Sequence, residues 1–172
     1  MFENVTAVFF DLDGTLVDSV PDLTAAVNIM LRQVGLPARD EAQVRTWVGN
    51  GMNNLIRRAL ANDMAGDVEP ALFDRARPLY KAAYADHISV YSSLYPGARE
   101  GLAGLAAAGW PLACVTNKAA EFAVPLLERL GIGHFFATVV GGECIASPKP
   151  APDSIQLCAE RLNIAVECGL MV

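Results

Sequence analysis

An α/β fold, a doubly wound (Rossmann-like) parallel sheet with an all-helical unit inserted after its first strand, is predicted by three features of this sequence. An apolar run, Val5 to Phe10, stops abruptly on Asp11-Leu12-Asp13-Gly14. From Ser19 to about His87 the apolar residues recur only at helical spacing. After Tyr95-Pro96-Gly97 helices alternate with short apolar strands, the pattern of parallel strands joined by crossovers. These changes divide the chain into an α/β core, 1–17 and 91–172, and a helical cap unit, 18–90.

Taken in order, Val5 to Phe10 reads as a buried strand. Ser19 opens a helix with Asp22 three residues on, an acidic variant of the capping box. Leu23, Ala26, Val27, Met30, Leu31 and Val34 carry the stripe, and Gly35-Leu36-Pro37 ends it. Asp40 caps a shorter helix that breaks at Gly49-Asn50-Gly51. A third helix covers Leu55 to Leu60, and a fourth runs from Leu72 to His87 with Pro78 expected to kink it. The core resumes with a helix over Leu102 to Ala106 and a strand, Pro111 to Val115, ending at Thr116-Asn117-Lys118. A helix over Phe122 to Leu130, a strand from Ala137 to Val140, a helix from near Pro152 and a last strand from near Gly169 complete it.

Composition narrows the function classes. The chain has 172 residues, 53% hydrophobic and 19% charged, so it is globular rather than disordered. A net charge of −6 without a basic cluster argues against nucleic acid or an anionic membrane as partner. Any anionic substrate must then be attracted locally, by a metal or a few placed cations. The acidic start, Met-Phe-Glu-Asn, lacks the basic region of a leader peptide, and no apolar run is long enough to span a bilayer. The four cysteines form no C-x-x-C pair, and Cys114 and Cys158 fall on apolar faces, so buried thiols are expected. A cytoplasmic location follows as the expectation; oligomeric state does not emerge.

The chemistry concentrates at Asp11 and Asp13. Residues i and i+2 of an extended chain point the same way, so both carboxylates can face one pocket, and Gly14 allows a sharp turn. Asp11 as nucleophile and Asp13 as general acid, then base, fit this layout; solvated acids in a turn are the plain alternative. A calcium loop is excluded, because its glycine position holds Leu16 and its closing glutamate position Asp22. Ligands of such sheets sit beyond the carboxyl ends of the strands, where Thr116 also falls. Thr116-Asn117 offers a hydroxyl and backbone N–H groups to a phosphate, although Thr116 alone reads equally as a helix cap. Lys149, between Pro148 and Pro150, is either a solvated loop residue or a cation aimed by stiff neighbours at a dianion beside Asp11. Gly49-Asn50-Gly51 offers amides to a substrate head group, or is an ordinary turn between helices.

Asp11-Leu12-Asp13-Gly14-Thr15 with Asp18-Ser19 resembles the first motif of the haloacid dehalogenase superfamily, and Thr116 and Lys149-Pro150 resemble its second and third. The ordered set that adds Trp47-Val48-Gly49-Asn50-Gly51, Tyr95-Pro96-Gly97, Val115-Thr116-Asn117-Lys118 and Gly141-Gly142-Glu143 is similar to the bacterial phosphoglycolate phosphatase family. That resemblance implies a helical cap, a small phosphorylated metabolite as partner, hydrolysis of 2-phosphoglycolate, and a place in carbohydrate metabolism. It also implies Mg2+ held by Asp11 and by Asp13, the latter through its backbone carbonyl. A phosphotransferase or mutase acting on sugar phosphates would use the same acids, and a non-catalytic phosphate binder is the third reading.

Two departures stand out. Glu143 occupies a position where the family usually has aspartate. The chain also ends at Leu170-Met171-Val172, before the family's fourth, acidic motif. The expectation is a chain shortened there, with weakened metal binding, little activity and a tendency to associate through its last strand.

Overall fold

The computed structural model describes residues 4–172. Met1 to Glu3, on which the reading of the N-terminus partly rests, lie outside the described residues. The chain divides into two compact units, Met1–Asp18 with Ser93–Val172, and Ser19–Ser92.

The first unit is built on a four-stranded parallel sheet of β1 (Ala7–Phe10), β4 (Leu112–Val115), β5 (Thr138–Val140) and β6 (Gly169–Met171), in the order β5-β4-β1-β6. Every residue of β1 and of β4 is buried, which is why both read as unbroken apolar runs rather than alternating ones. Register pairs Phe9 with Ala113 on one side and with Met171 on the other.

Side chains alternate between the two faces. Ala7, Phe9, Ala113, Val115 and Val140 pack with Cys158 and Ala159 of α7 (Asp153–Leu162). Phe10 turns the other way and lines a mostly apolar cavity of about 270 Å³ with Leu102 and Leu105 of α5 (Ala98–Ala107). Helices therefore cover both faces, as a doubly wound sheet requires. The chain passes from β1 to β4 on one side and reaches β6 on the other, so β1 sits where the strand order reverses, the usual place for a ligand crevice. α6 (Ala120–Arg129) follows β4.

A small antiparallel ribbon, β2 (Val17–Asp18) with β3 (Ser93–Leu94), was not foreseen. Two-residue strands are too short to show any period.

The second unit consists of α1 (Val20–Gln33), α2 (Glu41–Trp47), α3 (Met52–Ala61) and α4 (Pro70–His87). Ala26, Val27, Met30 and Leu31 of α1 are wholly buried, as the helical stripe predicts. Asp40 caps α2 by accepting from Gln43 N at 2.7 Å. α4 continues through Pro78 without ending.

The capping box at Ser19 does not form. Ser19 has φ −96° and ψ −4° and makes no side-chain cap bond. Asp22 instead is fully buried and accepts from Tyr91 N and Ser92 N, both at 2.8 Å, and from Ser92 Oγ. A buried carboxylate gains more from three donors than from one helix-end amide, so the distant partners win.

Candidate active site

β1 delivers Asp11 at its carboxyl end, and main-chain bonds to Val172 on either side of it, Val172 N to Phe9 O and Asp11 N to Val172 O, fix the backbone there. The chain then turns tightly: Leu16 N and Val17 N both donate to Leu12 O, and Gly14 N donates to Val17 O at 2.9 Å. Gly14 takes φ +87°, a left-handed conformation that a side chain would strain. This turn carries Asp13 past the end of the strand.

Each aspartate meets its own lysine. Lys149 Nζ lies 2.8 Å from Asp11 Oδ1, and the same ammonium donates to Val115 O at 2.8 Å. Asp11 Oδ1 also accepts from Leu12 N at 2.8 Å, while Oδ2 has no hydrogen-bond partner among the described residues. Lys118 Nζ donates to both oxygens of Asp13, at 3.1 and 2.9 Å. Lys118 is not among the site residues that the sequence singles out. The available signal was its spacing: two residues past Thr116, it can share that residue's direction.

The segment Thr116 to Lys118 ties these groups together. Thr116 is 2% exposed, and its Oγ1 accepts from Lys118 N at 3.1 Å, which leaves the hydroxyl proton to donate elsewhere. Asn117 grips the backbone of Lys149 from both sides, its Oδ1 accepting from Lys149 N at 2.9 Å and its Nδ2 donating to Lys149 O at 3.1 Å. Asn117 thus sets the loop from which Lys149 reaches Asp11.

The predicted helix N-terminus at Thr116-Asn117 lies further on. α6 begins at Ala120, and Ala120 N donates to both carboxylate oxygens of Glu143, at 2.7 and 2.9 Å. Glu143, the departure noted in the sequence, is the cap of that helix, a favourable place for an anion. Gly141 and Gly142 bring the backbone close behind this segment. A Cβ at Gly141 would stand 2.5 Å from Ala120 N, and one at Gly142 2.6 Å from Asn117 O, so neither position has room for a side chain.

Two other observations bear on the electrostatics. Burial pushes the Cys114 thiol far up, and the charges of Asp11 and Asp13 push it the same way, against Lys149. Cys114 pairs with Phe10 in the sheet, so this buried thiol senses both acids from beneath the rim. Burial also pushes Cys158 up to about 11. All four cysteines are free thiols, with Cys114 and Cys158 buried, as expected.

Gly49, Asn50 and Gly51 lie in the second unit, between α2 and α3. Asn50 Oδ1 accepts from Arg58 Nη1 at 2.9 Å, and the same Nη1 donates to Trp47 O at 2.8 Å. The turn is therefore braced from within its own unit. No helix among the described residues is long and apolar enough to cross a membrane.

No group of three or more His, Cys, Asp or Glu side chains gathers into a metal cage among the described residues. The donors at the rim are hard carboxylate oxygens. They fit magnesium, which commonly takes one or two carboxylates and completes its shell with water and substrate phosphate.

Residues 8–172 match the family model described as haloacid dehalogenase-like hydrolase. The chain is 46% identical over 172 residues to a phosphoglycolate phosphatase of Nitrosococcus oceani, covering 100% of this chain and 76% of that protein. It is 41% identical over 170 residues to one of Neisseria meningitidis, covering 99% and 72%. Among solved structures, a predicted phosphoglycolate phosphatase from Haemophilus somnus superposes with a TM-score of 0.88 at 33% identity, covering 98% of this chain and 76% of that one.

Proposed function

The chain belongs to the haloacid dehalogenase-like hydrolases and is a phosphatase of that family, and from this premise we propose that it hydrolyses 2-phosphoglycolate to glycolate and phosphate through an aspartyl-phosphate on Asp11. The observation that carries the reading is the asymmetry of Asp11: Oδ1 is held by Lys149 and by Leu12 N, and Oδ2 is left to attack. A phosphate dianion approaching a carboxylate is repelled, and Lys149 supplies the fixed cation that offsets this. Thr116, its oxygen already accepting from Lys118 N, turns its proton toward a phosphate oxygen. Asn117 positions Lys149 and adds main-chain polarity beside the phosphate.

The chemistry then divides into two displacements. In the first, Asp11 Oδ2 forms a bond to phosphorus, the bond to the ester oxygen breaks, and its electron pair goes to that oxygen, which takes a proton from Asp13. In the second, Asp13 removes a proton from water as the water oxygen attacks the aspartyl-phosphate, releasing phosphate and restoring Asp11. Magnesium, when bound by Asp11 and the Asp13 carbonyl, would neutralise phosphate oxygens and so lower the barrier to both attacks. The carboxylate end of the substrate is assigned to Gly49, Asn50 and Gly51.

Asp11→Asn tests the reading. It should abolish phosphoenzyme formation from radiolabelled substrate and lower kcat by at least about 10³-fold, the scale expected when an activated nucleophile is lost. Turnover near the wild-type rate would exclude Asp11 as nucleophile.

A further inference from the structure

We propose that Lys118 is a positioning residue for the proton-transfer step, aligning the Asp13 carboxyl and neutralising the charge that Asp13 acquires when it protonates the leaving oxygen. This rests on the acid role of Asp13 given above. The geometry is specific. One ammonium, 5% exposed, chelates both oxygens of a carboxylate that is itself 13% exposed. Two bonds from one donor fix the plane of the carboxyl group as well as its position. Lys118 is anchored in turn by its own N–H on Thr116 Oγ1, so the group that contacts phosphate and the group that holds the acid share one short segment.

The charge argument gives Lys118 a direction of action. When the phosphorus–oxygen bond breaks, the leaving alkoxide takes the proton and Asp13 becomes a carboxylate in a largely buried place. An unpaired carboxylate there is costly. Lys118, 2.9 Å away, stands ready as the partner of that carboxylate. In the second displacement Asp13 takes a proton from water, and that pairing is given up. Lys118 therefore favours formation of the phosphoenzyme, and favours it most where the leaving group most needs a proton.

Leaving-group dependence separates this from a merely structural role. Glycolate is a poor leaving group that needs protonation, whereas p-nitrophenolate departs without it. Lys118→Met should lower kcat on 2-phosphoglycolate by about 10²-fold, within the range lost with general acid catalysis, and on p-nitrophenyl phosphate by less than about fivefold. Lys118→Arg should restore part of the difference. In an Asp13→Asn background the Met substitution should have no further effect on the ratio of the two rates, as a shared route demands. Should Lys118→Met not fold, Lys118→Gln, which removes the charge but keeps amide N–H donors, gives the same comparison. An equal fall on both esters for Lys118→Met, with Asp13→Asn still discriminating between them, overturns the role of Lys118 alone. If Asp13→Asn also lowers both equally, the acid role of Asp13 falls and this assignment with it.

Discussion

Lys149 meets Asp11 through one oxygen, at side-chain exposures of 17% and 34%, whereas Lys118 takes both oxygens of Asp13, at 5% and 13%. The same two residue types thus make an open pair and a closed one on aspartates two residues apart. An acid that must form a bond to phosphorus needs an oxygen to spare and access to substrate, and the open pair has both. An acid that must hand over a proton and then carry a charge needs a partner at hand, and the closed pair supplies it. Both hang from Thr116 to Lys118, one through the Asn117 grip on the Lys149 backbone and the other through Lys118 itself.

The comparison can be broken from either side. The largest effect is expected from Lys149→Met, which leaves the Asp11 charge to repel the phosphate. We expect kcat to fall by about 10²- to 10³-fold on both 2-phosphoglycolate and p-nitrophenyl phosphate, since electrostatic stabilisation of phosphoryl transfer does not depend on the leaving group. Stopped-flow measurement of phosphoenzyme formation would check it, and a loss confined to 2-phosphoglycolate would show that the two pairs are not separable.

Asn117→Ala removes two hydrogen bonds to the Lys149 backbone while leaving both lysines in place. At roughly 1 kcal/mol per bond a loss of about 10- to 30-fold is expected, equal on the two esters because it acts through the open pair. Steady-state kinetics suffices, and a wild-type rate would mean that the loop holds Lys149 without Asn117.

Asn50→Ala changes the turn between α2 and α3 in the helical unit. It should shift the ratio of kcat/KM for 2-phosphoglycolate over p-nitrophenyl phosphate by up to about tenfold, the worth of one polar contact to substrate. An unchanged ratio would leave Gly49 to Gly51 as a turn only.

The sequence carried the fold well where burial was uniform. Four apolar residues in a row at Ala7–Phe10 and at Leu112–Val115 are what strands covered on both faces require, and both form. Sequence reasoning failed where a local signal met a distant competitor. Ser19 and Asp22 have the spacing of a capping box, but Tyr91 and Ser92 claim the carboxylate from the far end of the helical unit, and no local pattern records that. Lys149 was legible because flanking prolines mark its loop, whereas Lys118 was hidden by its ordinary position before a helix. Glu143 looked like a substitution away from a pattern until the structure gave it the first amide of α6.

The close approach of Gly141 and Gly142 to the backbone of residues 117–120 bears on how such a site can diversify. Behind Thr116 to Lys118 the separation between neighbouring loops is the thickness of two bare main chains. Any side chain at those two positions would act as a wedge against the backbone of Asn117, Lys118 and Ala120, displacing the segment as a whole. New specificities on this scaffold are therefore open to exchanges on the ligand side of the segment and closed from its rear, so the glycine pair limits evolution there by shape, whatever chemistry is being selected.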